Sequence, residues 1–181
     1  MGRHNQKGVI MDAAVNVVQR AGAAHLTIDA VAQESGLSKG GVLYHFPNKR
    51  ALLEGMLQSL LSDVSLRTER FRQKLGDTPG AMLRAFIHSE LDQSDRERAM
   101  SRAILAAAAE NPQLLAPARE YLGDRVKELR STSDGGDQRL VVFLALQGLM
   151  LMEMLGLTPL SQSESRQVRG VMDAMIAEAG S

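Results

Sequence analysis

Apolar residues recur along almost the whole chain at helical spacing, and no stretch alternates with the two-residue period of a strand. Val9, Ile10, Ala13, Ala14, Val17 and Val18 fall on one face and Gly22 ends the run, which predicts a helix over about 5–21. Thr27 stands as an N-cap before Ile28, Val31 and Ala32, predicting a short helix to about 34. Ser38 caps a second short helix to about His45, which Pro47 stops. From Asn48 the pattern lengthens: Leu52, Leu53, Met56, Leu57, Leu60 and Leu61 share a stripe that runs on past Val64 to Phe71. Thr78 and Pro79 start a helix carrying Met82, Leu83, Phe86, Ile87 and Leu91, and Ser94 or Asp95 starts the next, with Met100, Ala103, Ile104 and Ala107. Asn111-Pro112 restarts the chain into a helix to about Leu129, and Ser131 to Gly136 is a polar loop. Asp137 to about Leu155 is strongly apolar, Gly156 to Pro159 is a turn, and Ser161 to Ala179 is the last helix.

The expected fold is therefore all-α, with about nine helices: three short, one long connector, then five longer. The change from short helices with tight turns to long ones places a division near residue 50, into domains 1–50 and 51–181.

Composition sharpens this picture in three ways. Hydrophobic residues are 44% of the 181, enough for a real core, yet aromatics are 3% and Trp is absent, so Leu, Ala, Val and Met must fill it. Cysteine is absent, which removes disulfides, thiol catalysis and cysteine-based zinc sites. The formal net charge is zero, but residues 1–50 hold six Lys/Arg against three acids, leaving a mildly basic head on a mildly acidic body. The first residues contain no long apolar stretch, and Leu140–Leu155 is interrupted by Gln147 and Glu153. The reading is a cytoplasmic protein without a membrane partner. His4, His25, His45 and His88 are scattered without metal-ligand spacing, no nucleophile elbow or HExxH pattern occurs, and neither an enzyme nor a cofactor is expected.

The stretch richest in chemistry is LTIDAVAQESGLSKGGVLYHFPNKRALL, Leu26 to Leu53. A helix-turn-helix needs two short helices crossing steeply over a tight turn. Gly36 suits a left-handed turn residue, Ala32 permits close approach, and Ile28, Val31, Leu37 and Val42 fill the space between the helices. In such a motif the second helix enters the major groove and its first residues reach base edges. That helix presents Ser38, Lys39, Gly40, Gly41, Tyr44 and His45. Lys39 suits a guanine edge or a phosphate, and two poor helix formers in succession suit a backbone that lies close to DNA. Thr27 offers a hydroxyl and helix-terminal N–H groups to phosphate. Lys49, a cation at a helix start, opposes the helix dipole and so suggests a phosphate clamp.

Thr27 followed by IDAVAQESGLSKGGVLYHFPNKRALL resembles the N-terminal domain of TetR-family regulators, specifically over residues 8–53 and by helix count beyond. The positions that carry the match are Thr27, Gly36, Ser38, Lys39, Gly40, Tyr44, His45, Phe46 and Lys49. Leu43 departs from it, because a Tyr is common in the family there and its phosphate contact passes to Tyr44 or is lost. The resemblance implies a nine-helix homodimer, DNA binding in the first three helices, a small-molecule pocket in the larger domain and dimerisation through the last two helices. It also implies the regulatory mechanism. A repressor grips an operator with two heads about 34–36 Å apart until a ligand favours a spacing that fits DNA poorly. The long helix after Pro47 is the expected lever.

The segment LVVFLALQGLMLMEML, Leu140–Leu155, is apolar on nearly all faces and must be covered on all of them. A partner subunit against Ala145, Gly148 and Met152, with Val168, Val171, Met172 and Met175 of the last helix, would do so. A pocket for a small, apolar effector is expected among Met82, Phe86, Ile104, Leu105, Ala108, Leu122, Phe143 and Gln147, with Gln147 or Tyr121 as a hydrogen-bonding group. Two readings compete with the repressor: a ligand-independent DNA-binding protein, and a helical small-molecule-binding protein that does not touch DNA.

Overall fold

The computed structural model describes residues 3–76, 78, 80–131 and 136–178. Among them are nine α-helices and no strand. They are α1 (Arg3–Ala21), α2 (Ile28–Ser35), α3 (Lys39–His45), α4 (Lys49–Leu75), α5 (Ala81–Leu91), α6 (Asp95–Glu110), α7 (Ala116–Arg130), α8 (Gly136–Met154) and α9 (Gln162–Glu178).

Local chemistry sets most of the boundaries. Thr27 Oγ1 accepts from Ala30 N at 3.1 Å, Ser38 Oγ from Gly41 N at 3.0 Å and Asn48 Oδ1 from Ala51 N at 2.8 Å, so the starts of α2, α3 and α4 are side-chain capped. Ser94 and Glu97 satisfy each other's backbone N–H groups in a capping box that opens α6. Ser161 and Glu164 do the same for α9. Gly36 ends α2 at φ 69°, a left-handed conformation that a side chain would strain.

Three local expectations change. Ala23–His25 form a one-turn 3-10 helix after Gly22. Pro112–Leu115 form another before α7, rather than the first turn of α7. Gly80, at φ 71°, is the residue before α5 and makes no side-chain cap. Thr78 instead donates back to Leu75 O at the end of α4, at 3.4 Å. Pro79, most of the polar loop and the end of the last helix at Ala179 lie outside the described residues.

The chain folds into two compact units that do not divide at residue 50. The first is Met1–Leu61 with Ser94–Ala118; the second is Ser62–Gln93 with Arg119–Ser181. In the first, α6 packs on α1, joined at its edge by an Arg96–Asp12 ion pair of 2.6 Å. Its core gathers Ile10, Val31, Val42, Leu52, Met56, Met100 and Leu114. In the second, Leu83, Phe86, Ile87, Val142, Phe143, Leu146, Met172 and Ile176 form a separate core. A helical stripe shows that a face is buried, not what buries it, and α6 joined the head through contacts remote in sequence. Among the described residues no helix is long and apolar enough to cross a membrane.

Candidate functional site

The first unit displays a row of groups its own fold does not use. Val42 is fully buried and Phe46 nearly so, which fastens α3 to the core and leaves its other side outward. On that side Lys39 and Gly40 are exposed, and Tyr44 is 71% exposed with its ring edge against the His45 imidazole. Leu43 is half-buried. The residue that departs from the family pattern is therefore less exposed than its neighbour Tyr44, which carries the exposed phenol.

The other predicted residues lie around this helix. Thr27 is exposed, and its Oγ1 accepts from Ala30 N, so the hydroxyl proton is left to donate outward. Ser38 has the same arrangement toward Gly41 N. Lys49 is exposed in the first turn of α4 and makes no ion pair among the described residues. His45 is tied back to the protein, with Nε2 donating to Gln6 Oε1 at 3.1 Å. Lys39 Nζ pairs with Asp29, 2.9 Å from Oδ1, in a contact open to solvent on both sides. Such a pair is weak and exchangeable, and it parks the amine beside the first turn of α2. The sequence signal for this pair was available, since Asp29 and Lys39 begin successive helices, but only the crossing of α2 and α3 brings them together.

The two glycines of α3 differ. A Cβ on Gly40 would meet nothing closer than the Ser38 hydroxyl at 4.0 Å, and its φ is unexceptional. The protein itself therefore has no need of glycine there. A Cβ on Gly41 would stand 3.3 Å from the same hydroxyl, so that glycine partly serves the cap.

The residues expected to form one pocket divide between the units. Ile104 lies in the first core, and Leu105 and Ala108 belong to the same unit. Phe86 and Phe143, with centroids 5.9 Å apart, lie in the second core, and Leu122 packs against it. Gln147 is in the second unit, and its Nε2 is buried without an acceptor among the described residues. Burial pushes the half-buried Tyr121 phenol above its ordinary pKa and keeps it neutral. Met82 lines a separate open cleft of 620 Å³ in the second unit.

The expected interface residues mostly face outward. Ala145, Gly148, Met152, Val171 and Met175 are exposed, and Val168 is half-buried. Met172 is 9% exposed and fills the second unit's own core, so it is not a surface contact. Sequence reasoning missed Val141, Leu144, Leu151 and Leu155, all exposed and spaced with Gly148 at three- and four-residue intervals along one face.

Two family models match the chain. "Bacterial regulatory proteins, tetR family" covers residues 10–56, and "Tetracyclin repressor-like, C-terminal domain" covers residues 80–177. The HTH-type transcriptional regulator BetI of Burkholderia thailandensis is 32% identical over 92 residues, 51% of this chain and 47% of that protein. BetI of Stenotrophomonas maltophilia is 29% identical over 108 residues, 58% and 55% of the two chains. The chain thus spans about half the length of these curated relatives. Among solved structures, a transcriptional regulator from Rhodococcus sp. Rha1 superposes with TM-score 0.72 at 20% identity, over 96% of this chain and 95% of that one. The multidrug binding protein EbrR, complexed with imidazole, superposes with TM-score 0.68 at 22% identity, over 94% of each. Motif, fold and both family models agree, and the chain belongs to the TetR family of bacterial regulatory proteins.

Proposed function

We propose that this protein is a sequence-specific DNA-binding repressor, acting as a homodimer and released from its operator by a small molecule. The observation that carries the DNA-binding part is α3: a seven-residue helix anchored by Val42 that turns Lys39, Gly40 and a 71% exposed Tyr44 outward. None of these exposures benefits the fold, and all suit a helix laid in a major groove. Thr27, Ser38 and Lys49 add donors for the flanking phosphates. Gly40, lacking a side chain where the protein would tolerate one, lets the backbone approach the groove.

The exposed apolar stripe of α8 with Val171 and Met175 of α9 supports a second copy of the chain as partner, since apolar area of this kind is seldom left to water. The unpartnered Gln147 Nε2 supports a ligand that accepts a hydrogen bond within the second unit. Release then requires the ligand to bind the operator-incompetent state more tightly than the competent one.

The test is DNA binding by the wild type and by Lys39→Ala/Tyr44→Ala, on DNA flanking the protein's own gene, at two salt concentrations. Wild-type binding with sequence preference, lost in a double variant that stays folded, is the expected result. Selection from random sequences by refolded wild-type protein serves as the second arm. Failure of both arms at low salt, where phosphate contacts are strongest, rejects the reading.

A further inference from the structure

The second unit holds a positive charge that no described residue neutralises. Arg139, in the first turns of α8, is 4% exposed, and its Nε is buried without an acceptor. It makes no hydrogen bond or ion pair among the described residues. Burying a guanidinium without a counter-charge is costly, and its place near a helix N-terminus, where the dipole is positive, adds to that cost. Asp137, on the same turn, is exposed and does not pair with it. Gly80 explains how the burial is achieved: a Cβ there would stand 3.5 Å from Arg139 Nε and collide with Ile176 Cγ2. The bare backbone closes over the guanidinium.

Arg139 also lines the 620 Å³ cleft, within the range of small-molecule sites. The other charges of that wall are already matched. Glu69 takes Arg72 in a two-pronged contact of 2.8 and 2.9 Å, and Glu128 takes Arg125 at 3.0 Å. The remainder of the wall includes Met82, Leu83 and Leu129. Among the described residues, the cleft thus combines a cation without a counter-charge, two carboxylates already satisfied and an apolar surface.

We propose that this cleft binds a small monocarboxylic acid, whose carboxylate pairs with Arg139 and whose apolar body lies on Met82, Leu83 and Leu129. A guanidinium edge matches a carboxylate in shape and charge. A phosphate dianion would bring a second charge toward Glu69 and Glu128, which disfavours it. The ligand of this cleft is therefore amphiphilic. The proposal concerns binding alone, and it stands or falls apart from the operator reading because no DNA enters its test.

The test is isothermal titration calorimetry of the full chain with hexanoate, decanoate and benzoate. Hexanol, decanol, benzyl alcohol and inorganic phosphate are the controls. Saturable binding of at least one acid is expected, with its alcohol weaker by about ten- to a hundred-fold, the contribution of a charge-assisted hydrogen bond. Arg139→Gln should lose the same factor toward the acid and none toward the alcohol, with its helicity checked by circular dichroism. Met82→Trp keeps the cation and fills the cleft, so it should weaken acid binding even if Arg139→Gln fails to fold. Acid and alcohol binding alike, acid binding unchanged in folded Arg139→Gln or in Met82→Trp, phosphate binding in place of the acids, or no saturation by any acid would each overturn the proposal.

Discussion

The two compact units distribute polarity in opposite ways. Among the described residues of the first, the buried set is apolar apart from Glu97, which serves a capping box, and the large exposed apolar side chain is Tyr44. In the second, Thr68, Ser89, Glu90, Arg139, Ser165 and Arg169 are buried, while Val141, Leu144, Leu151, Leu155, Leu157, Val171 and Met175 stand in water. Some of the buried polar groups are answered internally: Arg169 grips Glu153 through two contacts of 2.6 and 3.0 Å, and Thr68 donates to Ser89 at 3.0 Å. Arg139 Nε and Gln147 Nε2 are not answered, and of the Arg169 guanidinium only Nε lacks an acceptor among the described residues. The first unit is a finished fold with a polar working face. Under the proposed function, the second carries apolar surface and polar interior that a partner subunit and a ligand would complete.

The comparison breaks most visibly at the α8 stripe. Leu144→Glu with Leu151→Glu should convert a dimer into monomer, weakening association by more than about a hundred-fold, as charges placed in an apolar interface core do. Light scattering after size exclusion reads it, and an unchanged mass would mean that the stripe is not the interface. The matching change in the first unit is Tyr44→Ala. Removal of this exposed side chain should leave the melting temperature within about a degree, as surface substitutions do, while operator affinity falls by about ten-fold or more. A large loss of stability instead would make Tyr44 a packing residue.

Smaller effects sharpen the contrast. Gly36→Ala places a Cβ at φ 69° and should cost about 1–2 kcal/mol, seen as a lowered denaturation midpoint. Thr27→Ala removes the α2 cap and should cost about 1 kcal/mol in the same experiment. Gly40→Ala should move the two readouts in opposite directions. It should stabilise the fold by a few tenths of a kcal/mol to about 1 kcal/mol through helix propensity, while weakening operator binding. If both rise together, the bare backbone of α3 does not approach DNA.

Much of the molecule was legible because its signals are local. Thr27, Ser38 and Asn48 cap within three residues of themselves, Gly36 meets its own backbone need, and a 3.6-residue period marks an apolar helix face. These signals determined the helices, the helix-turn-helix and which side of α3 is free. Only tertiary structure decided what each face meets. Ile104 looked like pocket and became core of the first unit, because α6 packs against α1 from some eighty residues away. Met172 looked like interface and became core, while Leu144 and Leu151 on α8 were left outside. The position of Arg139 under Gly80 and beside Ile176 has no signature in the chain at all. Helix periodicity carries the direction of a side chain relative to its own axis, and the identity of its neighbour depends on contacts between segments distant in sequence.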